Sequence, residues 1–220
     1  RGCGRRFVVR VGIGEPLEAT RTDPQAMQET AREGTAGTGV DEGPVVWSPG
    51  DVILQTYEVQ EVLGKGAFGK VYKVRHTGWG RDLAVKCPLP EAFETEKQKE
   101  KFTAEAEAWV NLGLHPHTVS CHYVRQLSGV PRVFVEYVSG GTLADWLKSR
   151  RIYEGGPEPS LQQVIDFAIQ FAWGLNYAHQ NGLVHQDVKP ANVMVSKSGV
   201  VKITDFGLVS VGGGESLAAK

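Results

Sequence analysis

Three short stretches, Tyr57–Leu63, Val71–Arg75 and Leu83–Cys87, are rich in apolar and β-branched residues with turn residues between them. Runs of this length and composition bounded by turns read as strands, so they predict an antiparallel meander, with structure beginning near Val52. Thr77-Gly-Trp-Gly80 supplies one of its turns. Over Lys97–Leu114 the pattern changes. Phe102, Ala106, Trp109 and Val110 stand at spaced positions among strong helix formers, which predicts a helix. Thr118–Leu127 and Arg132–Val138 alternate across a Ser128-Gly129 turn and read as two more strands. Leu143–Arg150 reads as a short helix and Ser160–Gln180 as a long one. Pro159 precedes the long helix, and Ser160 and Gln163 have the spacing of a capping box. Leu161, Val164, Ile165, Ala168, Phe171, Ala172, Leu175 and Ala178 fall on one face of it. Strands first and helices second give an α+β arrangement with two lobes.

Residues 1–50 differ from the rest. From Glu15 to Gly50 the chain is rich in Gly, Thr, Glu, Pro and Ala and has little periodicity, so it is expected to be a flexible linker. The stretch Arg1–Arg10 resembles the last knuckle and strand of a zinc ribbon cut off upstream. Its one cysteine, Cys3, cannot hold zinc, which takes about four ligands. The chain opens on Arg1 and is read as part of a longer multidomain protein.

Composition narrows the picture. The 220 residues are 41% hydrophobic, enough for a sizeable core in one or two domains. Lys and Arg number 24 against 25 Asp and Glu, a balance that argues against a nucleic-acid arm or a polybasic membrane anchor. Cys3, Cys87 and Cys121 are too few and too scattered for a disulfide framework, so a reducing cytoplasmic setting is expected. The sequence contains no apolar run of the roughly 18 residues that a membrane span needs, and no signal peptide.

Five segments carry chemistry. Gly64-Lys-Gly-Ala-Phe-Gly69-Lys-Val71 places glycines where a backbone could approach phosphates with no Cβ in the way. Both of its flanks read as strands, which sets it apart from a dinucleotide fingerprint joining strand to helix. Leu83-Ala-Val-Lys86 ends an apolar strand on a lysine, whose inward ammonium needs phosphate oxygens or a carboxylate as partner. Glu105 and Glu107 both offer that carboxylate. Glu105 is preferred because Trp109 lies one turn later on its face. Val184-His-Gln-Asp187-Val-Lys189-Pro-Ala-Asn192-Val-Met-Val195 sets a His, an Asp, a Lys and an Asn on a short loop. There Asp187 could accept or orient an alcohol proton, Lys189 could neutralise a transferring phosphoryl group, and Asn192 could reach a divalent metal. Lys202-Ile-Thr-Asp205-Phe206-Gly207 offers a second carboxylate to Mg2+.

These five segments, in this order, resemble the eukaryotic-type protein kinases over about Tyr57–Val209. The resemblance implies a two-lobed fold, with an antiparallel β N-lobe carrying one helix and an incomplete helical C-lobe. The linker would end at residue 50 and the kinase domain would occupy 51–220, its N-lobe 51–136 and its partial C-lobe 137–220. It implies ATP and Mg2+ as cofactors and proteins as substrates. Leu63, Gly64, Gly66, Phe68 and Gly69 would cover the nucleotide. Val71 and Ala84 would pack above the adenine and Met194 below it. Glu136 and Val138 would hydrogen-bond the base through their backbone, with a small gatekeeper at Val135. Lys86, paired with Glu105, would hold the α- and β-phosphates. Asp187 would act on the substrate hydroxyl, Lys189 and Asn192 would complete the loop, and Asn192 and Asp205 would hold the metal. His185, Phe206 and Trp109 would stack inside the protein. Asp187-x-Lys189-Pro-x-Asn192 is the form seen in Ser/Thr-type members.

Trp79-Gly-Arg-Asp-Leu-Ala-Val-Lys86 and Leu112-Gly-Leu-His-Pro-His117 resemble bacterial members in particular. Gln186 departs from the family, which usually has Arg between the His and the Asp, so control by phosphorylation of the activation loop is not expected. The rival readings are a scaffold that binds nucleotide without transfer and a small-molecule kinase. The intact set Lys86, Asp187, Asn192 and Asp205 argues against the first. Lys189-Pro190 and Asp205-Phe-Gly207 argue against the second.

Overall fold

The computed structural model describes residues 44–66 and 68–207. The stretch around Cys3, most of the segment read as a linker, and residues 208–220 lie outside them. Among the described residues, strands β1 (Val52–Ile53), β2 (Tyr57–Gly66), β3 (Gly69–His76), β4 (Arg81–Pro88), β5 (Cys121–Leu127) and β6 (Val130–Glu136) form one antiparallel sheet in the order β1-β2-β3-β4-β6-β5. Apolar side chains on both faces of the central strands build two hydrophobic layers. On β4, Leu83, Val85 and Cys87 enter one layer and Ala84 enters the other; on β6, Phe134 enters the first, and Val133 and Val135 the second. A one-residue slip in either strand would exchange the layers, so the pattern fixes the register.

Helix α1 (Glu96–Leu112) covers the second layer. A capping box between Thr95 and Gln98 starts it, and Phe102, Ala106, Trp109 and Leu112 face inward. Gly113 ends it at φ +77°, a left-handed conformation that an L side chain resists. The Trp109 indole donates to the carbonyl of Val119 at 2.9 Å, which anchors the helix to the chain entering β5.

The first layer is closed by residues expected to be linker. Trp47 is buried, its ring 5.4 Å from that of Tyr72, and its N–H donates to the Tyr72 hydroxyl. The described part of the Gly- and Pro-rich stretch is therefore tied to the sheet. One large aromatic with a layer to enter outweighs the composition around it.

Beyond β6 lie helices α2 (Leu143–Lys148) and α3 (Pro157–Gln180) and a two-stranded ribbon, β7 (Val193–Val195) with β8 (Val201–Ile203). The expected capping box at Ser160 and Gln163 does not form. Gly156 is the cap, Pro157 opens the helix, and Ser160 sits inside it with its hydroxyl donating to the Gly156 carbonyl at 2.6 Å. The expected apolar face is also only half right. Phe167, Gly174 and Ala178 are buried, whereas Leu161, Val164 and Ile165 are exposed, as are Ile169 and Trp173. α3 is apolar on two sides, and periodicity alone does not say which side packs.

Candidate active site

β2 and β3 form a hairpin whose glycines roof a cleft of about 560 Å3. Shifts in register between Val59 and Glu61 and between Val62 and Gly64 bend this hairpin. Gly64 and Gly66 face open space, while a Cβ on Gly69 would lie 2.2 Å from the Cys87 carbonyl oxygen. Gly69 is thus required by the close approach of β4. Phe68 packs edge-on to Phe93, and Phe93 in turn to Phe102 of α1, so an aromatic chain links the hairpin to the helix. Val71 and Lys86 also line the roof; Asp187, Lys189, Asn192 and Asp205 line the floor.

The Lys86 ammonium reaches this cleft from β4 and forms an ion pair with Asp205. It also lies 5.6 Å from the centre of the Trp109 ring. Burial draws its pKa down to about 7, an effect that a carboxylate in contact, as Asp205 is, opposes. Asp205 adopts φ +69° and Gly207 φ +70°, a tight bend at the end of β8 that aims the carboxylate into the cleft. Asp205 also accepts from the Thr204 hydroxyl at 2.9 Å. Glu105 lies on the half-buried side of α1 beside Gly207, with Lys101 at 3.8 Å, whereas Glu107 is exposed.

The loop between α3 and β7 gathers the remaining groups. Asp187 Oδ2 accepts from Lys189 Nζ at 2.5 Å and from Asn192 Nδ2 at 2.9 Å. Asn192 Nδ2 also donates to the Asp187 carbonyl, which leaves the Asn192 amide oxygen for another partner. The Lys189 ammonium is the main cause that holds the Asp187 carboxyl below the usual carboxylate range, so Asp187 is ionised at neutral pH. His185 is buried beneath it. Its Nδ1 accepts from the Asp187 N–H at 3.2 Å, and its Nε2 bonds the Thr204 carbonyl at 2.8 Å. An acceptor at Nδ1 requires the proton on Nε2, and burial lowers the ring's pKa, in keeping with that neutral form. The His185 and Phe206 rings lie 4.9 Å apart and those of Phe206 and Trp109 6.0 Å, so the three expected to stack are in contact. Gln186 is exposed and left-handed at φ +65°.

Ala84, Val135 and Val138 are buried in one cluster, with Val71 and Met194 packed against it. β4 pairs Ala84 with Val135 and Leu83 with Glu136, which brings the strand of Lys86 beside the segment expected to hold a base. Leu63 is exposed on β2. Spacing gave no sign of a further link here: Lys202 of β8 donates to Glu136 Oε2 at 2.9 Å, and the Ser120 N–H reaches the same oxygen at 3.3 Å. The two charges are 66 positions apart, and only the fold joins them.

Comparison with known proteins gives a consistent result. Residues 57–218 match the family model for the protein kinase domain. The chain is 36% identical over 159 residues to a probable serine/threonine-protein kinase of Clostridium acetobutylicum, which covers 72% of this chain and 23% of that protein. It is 34% identical over 156 residues to the serine/threonine-protein kinase PknB of Mycobacterium leprae, covering 69% and 24%. Rat NUAK family SNF1-like kinase 2 is 36% identical over 152 residues, covering 69% and 23%. Among solved structures, the PknI kinase domain of Mycobacterium tuberculosis superposes with a TM-score of 0.63 at 30% identity, covering 75% of this chain and 64% of that one. The chain spans under a quarter of the length of these curated relatives.

Proposed function

The chain belongs to the protein kinase family, and we propose that it transfers the γ-phosphoryl group of ATP to Ser and Thr hydroxyls of proteins. One observation carries this reading: the cleft brings Lys86, Asp187, Lys189, Asn192 and Asp205, from three separate segments, under a single glycine hairpin. A half-buried ammonium, two carboxylates and an amide suit a polyanionic substrate and an alcohol better than they suit each other.

Phosphoryl transfer asks little covalent chemistry of a protein and depends on positioning and charge. The glycines of the hairpin let backbone N–H groups approach the phosphates. Lys86, buried enough to need an anion, takes the α- and β-phosphates. Asp187, ionised and fixed by Lys189 and Asn192, orients the acceptor hydroxyl and takes its proton. Lys189, partly exposed at the mouth, faces the γ-phosphoryl group and offsets its charge. Val71, Ala84 and Met194 sandwich the adenine, and the backbone of Glu136 and Val138 reads its edge. Asp205 and the amide oxygen of Asn192 are hard oxygen donors of the kind Mg2+ prefers. They would hold Mg2+, whose positive charge would offset that of the phosphates. Lys86 then exchanges its Asp205 contact for phosphate.

The module is read as an N-lobe through Glu136 and a second lobe from Tyr137, and the intact set of polar groups favours transfer over a binding role alone. With Gln186 in place of the usual Arg, activity is expected to survive treatment with a phosphatase. The deciding experiment incubates the full-length protein with γ-labelled ATP, Mg2+ and a generic acceptor protein, followed by phosphoamino-acid analysis. Phosphoserine or phosphothreonine is the expected product. Bound nucleotide with no labelled acceptor would overturn the reading in favour of a non-transferring module.

A further inference from the structure

Arg132 is charged yet only 1% exposed, and among the described residues it makes no ion pair. Two backbone carbonyls and one ring hold it instead, beside the buried Cys87 thiol. Nη2 donates to Val45 at 2.7 Å, Nη1 donates to Pro88 at 3.1 Å, and the guanidinium carbon lies 5.6 Å from the centre of the Trp47 ring. Nε makes no hydrogen bond among the described residues. A buried cation with so few partners depends on each of them. One carbonyl and the ring belong to the segment before β1; the other carbonyl belongs to the end of β4.

That end of β4 supports the glycine hairpin. Gly69 pairs with Pro88, the Leu89 N–H donates to the Phe68 carbonyl at 3.0 Å, and the Cys87 carbonyl lies where a Gly69 side chain would be. The early segment is fastened at its other end to β2, which leads into Gly64. Gly50 donates to the Val59 carbonyl, Val59 donates to the Asp51 carbonyl, and Asp51 Oδ2 accepts from the Ser48 N–H at 2.6 Å. Both arms of the hairpin therefore rest on one strap.

We propose that Arg132 is a positioning residue for the phosphate-binding hairpin, and that residues 45–51 form a strap that controls the hairpin through it. With the strap seated, Arg132 has an acceptor on each side and clamps the Cys87–Leu89 backbone. With the strap withdrawn, the guanidinium loses one carbonyl and its aromatic cover. It must then turn toward water and release Pro88. Whatever pulls on the chain ahead of Val45 thus acts on nucleotide affinity from behind the sheet, without entering the cleft. The link to affinity rests on the nucleotide-site reading above; the mechanical link between strap and hairpin does not.

The test compares full-length wild type with Trp47→Ala, Arg132→Lys, Asp51→Ala and the control Leu161→Ala, using hydrogen exchange and Mg-ADP binding. Trp47→Ala should speed exchange of the hairpin amides in 64–70 and weaken Mg-ADP by about tenfold, the scale of a lost buried bond to a charged group. Arg132→Lys keeps the charge but not the fork, and should speed exchange at the hairpin to a smaller degree. Leu161→Ala should change neither reading. Asp51→Ala opens only the exposed Ser48 turn, so it still decides the matter if Trp47→Ala does not fold. Faster exchange at 45–51 with unchanged exchange at 64–70 overturns the proposal, whatever the melting temperature does. Wild type that fails to bind Mg-ADP would sink the nucleotide reading, and the exchange data would still decide the strap.

Discussion

Asp187 receives two hydrogen bonds at one carboxylate oxygen, from Lys189 and Asn192, and its N–H rests on a neutral His185. Asp187→Asn keeps the size but loses the charge that takes a proton. We expect transfer to fall by about a hundredfold or more, with Mg-ADP affinity within about threefold of wild type, since a group acting on the acceptor hydroxyl contributes little to ground-state nucleotide binding. Comparable turnover in the variant would remove Asp187 from its role. The proximity of these residues was legible in the sequence because they lie in one short segment. Asp187 reaches Asn192 across one turn of 3-10 helix at Pro190–Asn192, so the sequence interval is nearly the spatial one. Arg132 was not legible. Its partners Val45 and Pro88 lie 87 and 44 positions away, and an arginine in an alternating strand looks like a solvent-facing one.

At the scale of elements, α3 is placed by contact with a loop. A Cβ on Gly174 would lie 2.4 Å from the His117 carbonyl oxygen and 2.9 Å from Ile203 Cδ1. The helix thus crosses at closest approach to both the His115-Pro-His117 turn and the strand before Asp205. Tyr177, stacked on His115 at 4.4 Å, donates to the Leu112 carbonyl and holds the same junction. Gly174→Ala must push α3 outward, and we expect a loss of about 1–3 kcal/mol in urea unfolding, the usual cost of overpacking. Stability within a few tenths of wild type would show that the junction yields easily. The existence and order of the strands and helices were readable from their apolar patterns. The side on which α3 packs was not, because Leu161, Val164, Ile165 and Ile169 are as apolar as Phe167 and Phe171. The true start of the helix was hidden too. Gly156-Pro157 works through backbone geometry, while Ser160 and Gln163 mimic a cap.

For the whole molecule, burial lowers the imidazole pKa of His76, His115, His122 and His185. Between each lowered value and the unfolded value of about 6.5, the unfolded chain holds a proton that the folded chain does not. Stability therefore rises with pH across that window, is complete above it, and is lost as pH falls below about 6.5. The melting temperature should hold steady near pH 7.5 and decline between about pH 6.5 and 5.5. A profile flat across that range would contradict the burial of neutral rings. Among the described residues, Leu161, Val164, Ile165, Ile169 and Trp173 form an exposed apolar stripe on α3. Two-lobed organisation could be inferred from the sequence; which face of α3 is exposed among the described residues could not.

Trp109 touches three parts of the site at once: the Lys86 ammonium at 5.6 Å, the Phe206 ring at 6.0 Å and, through its indole proton, the loop after α1. An indole's emission follows the electric field around it. On the proposed reading, the lysine's exchange of a carboxylate for phosphate would change the field at that ring. Trp109 would then report nucleotide occupancy from the interior without a label, in a variant whose four other tryptophans are replaced.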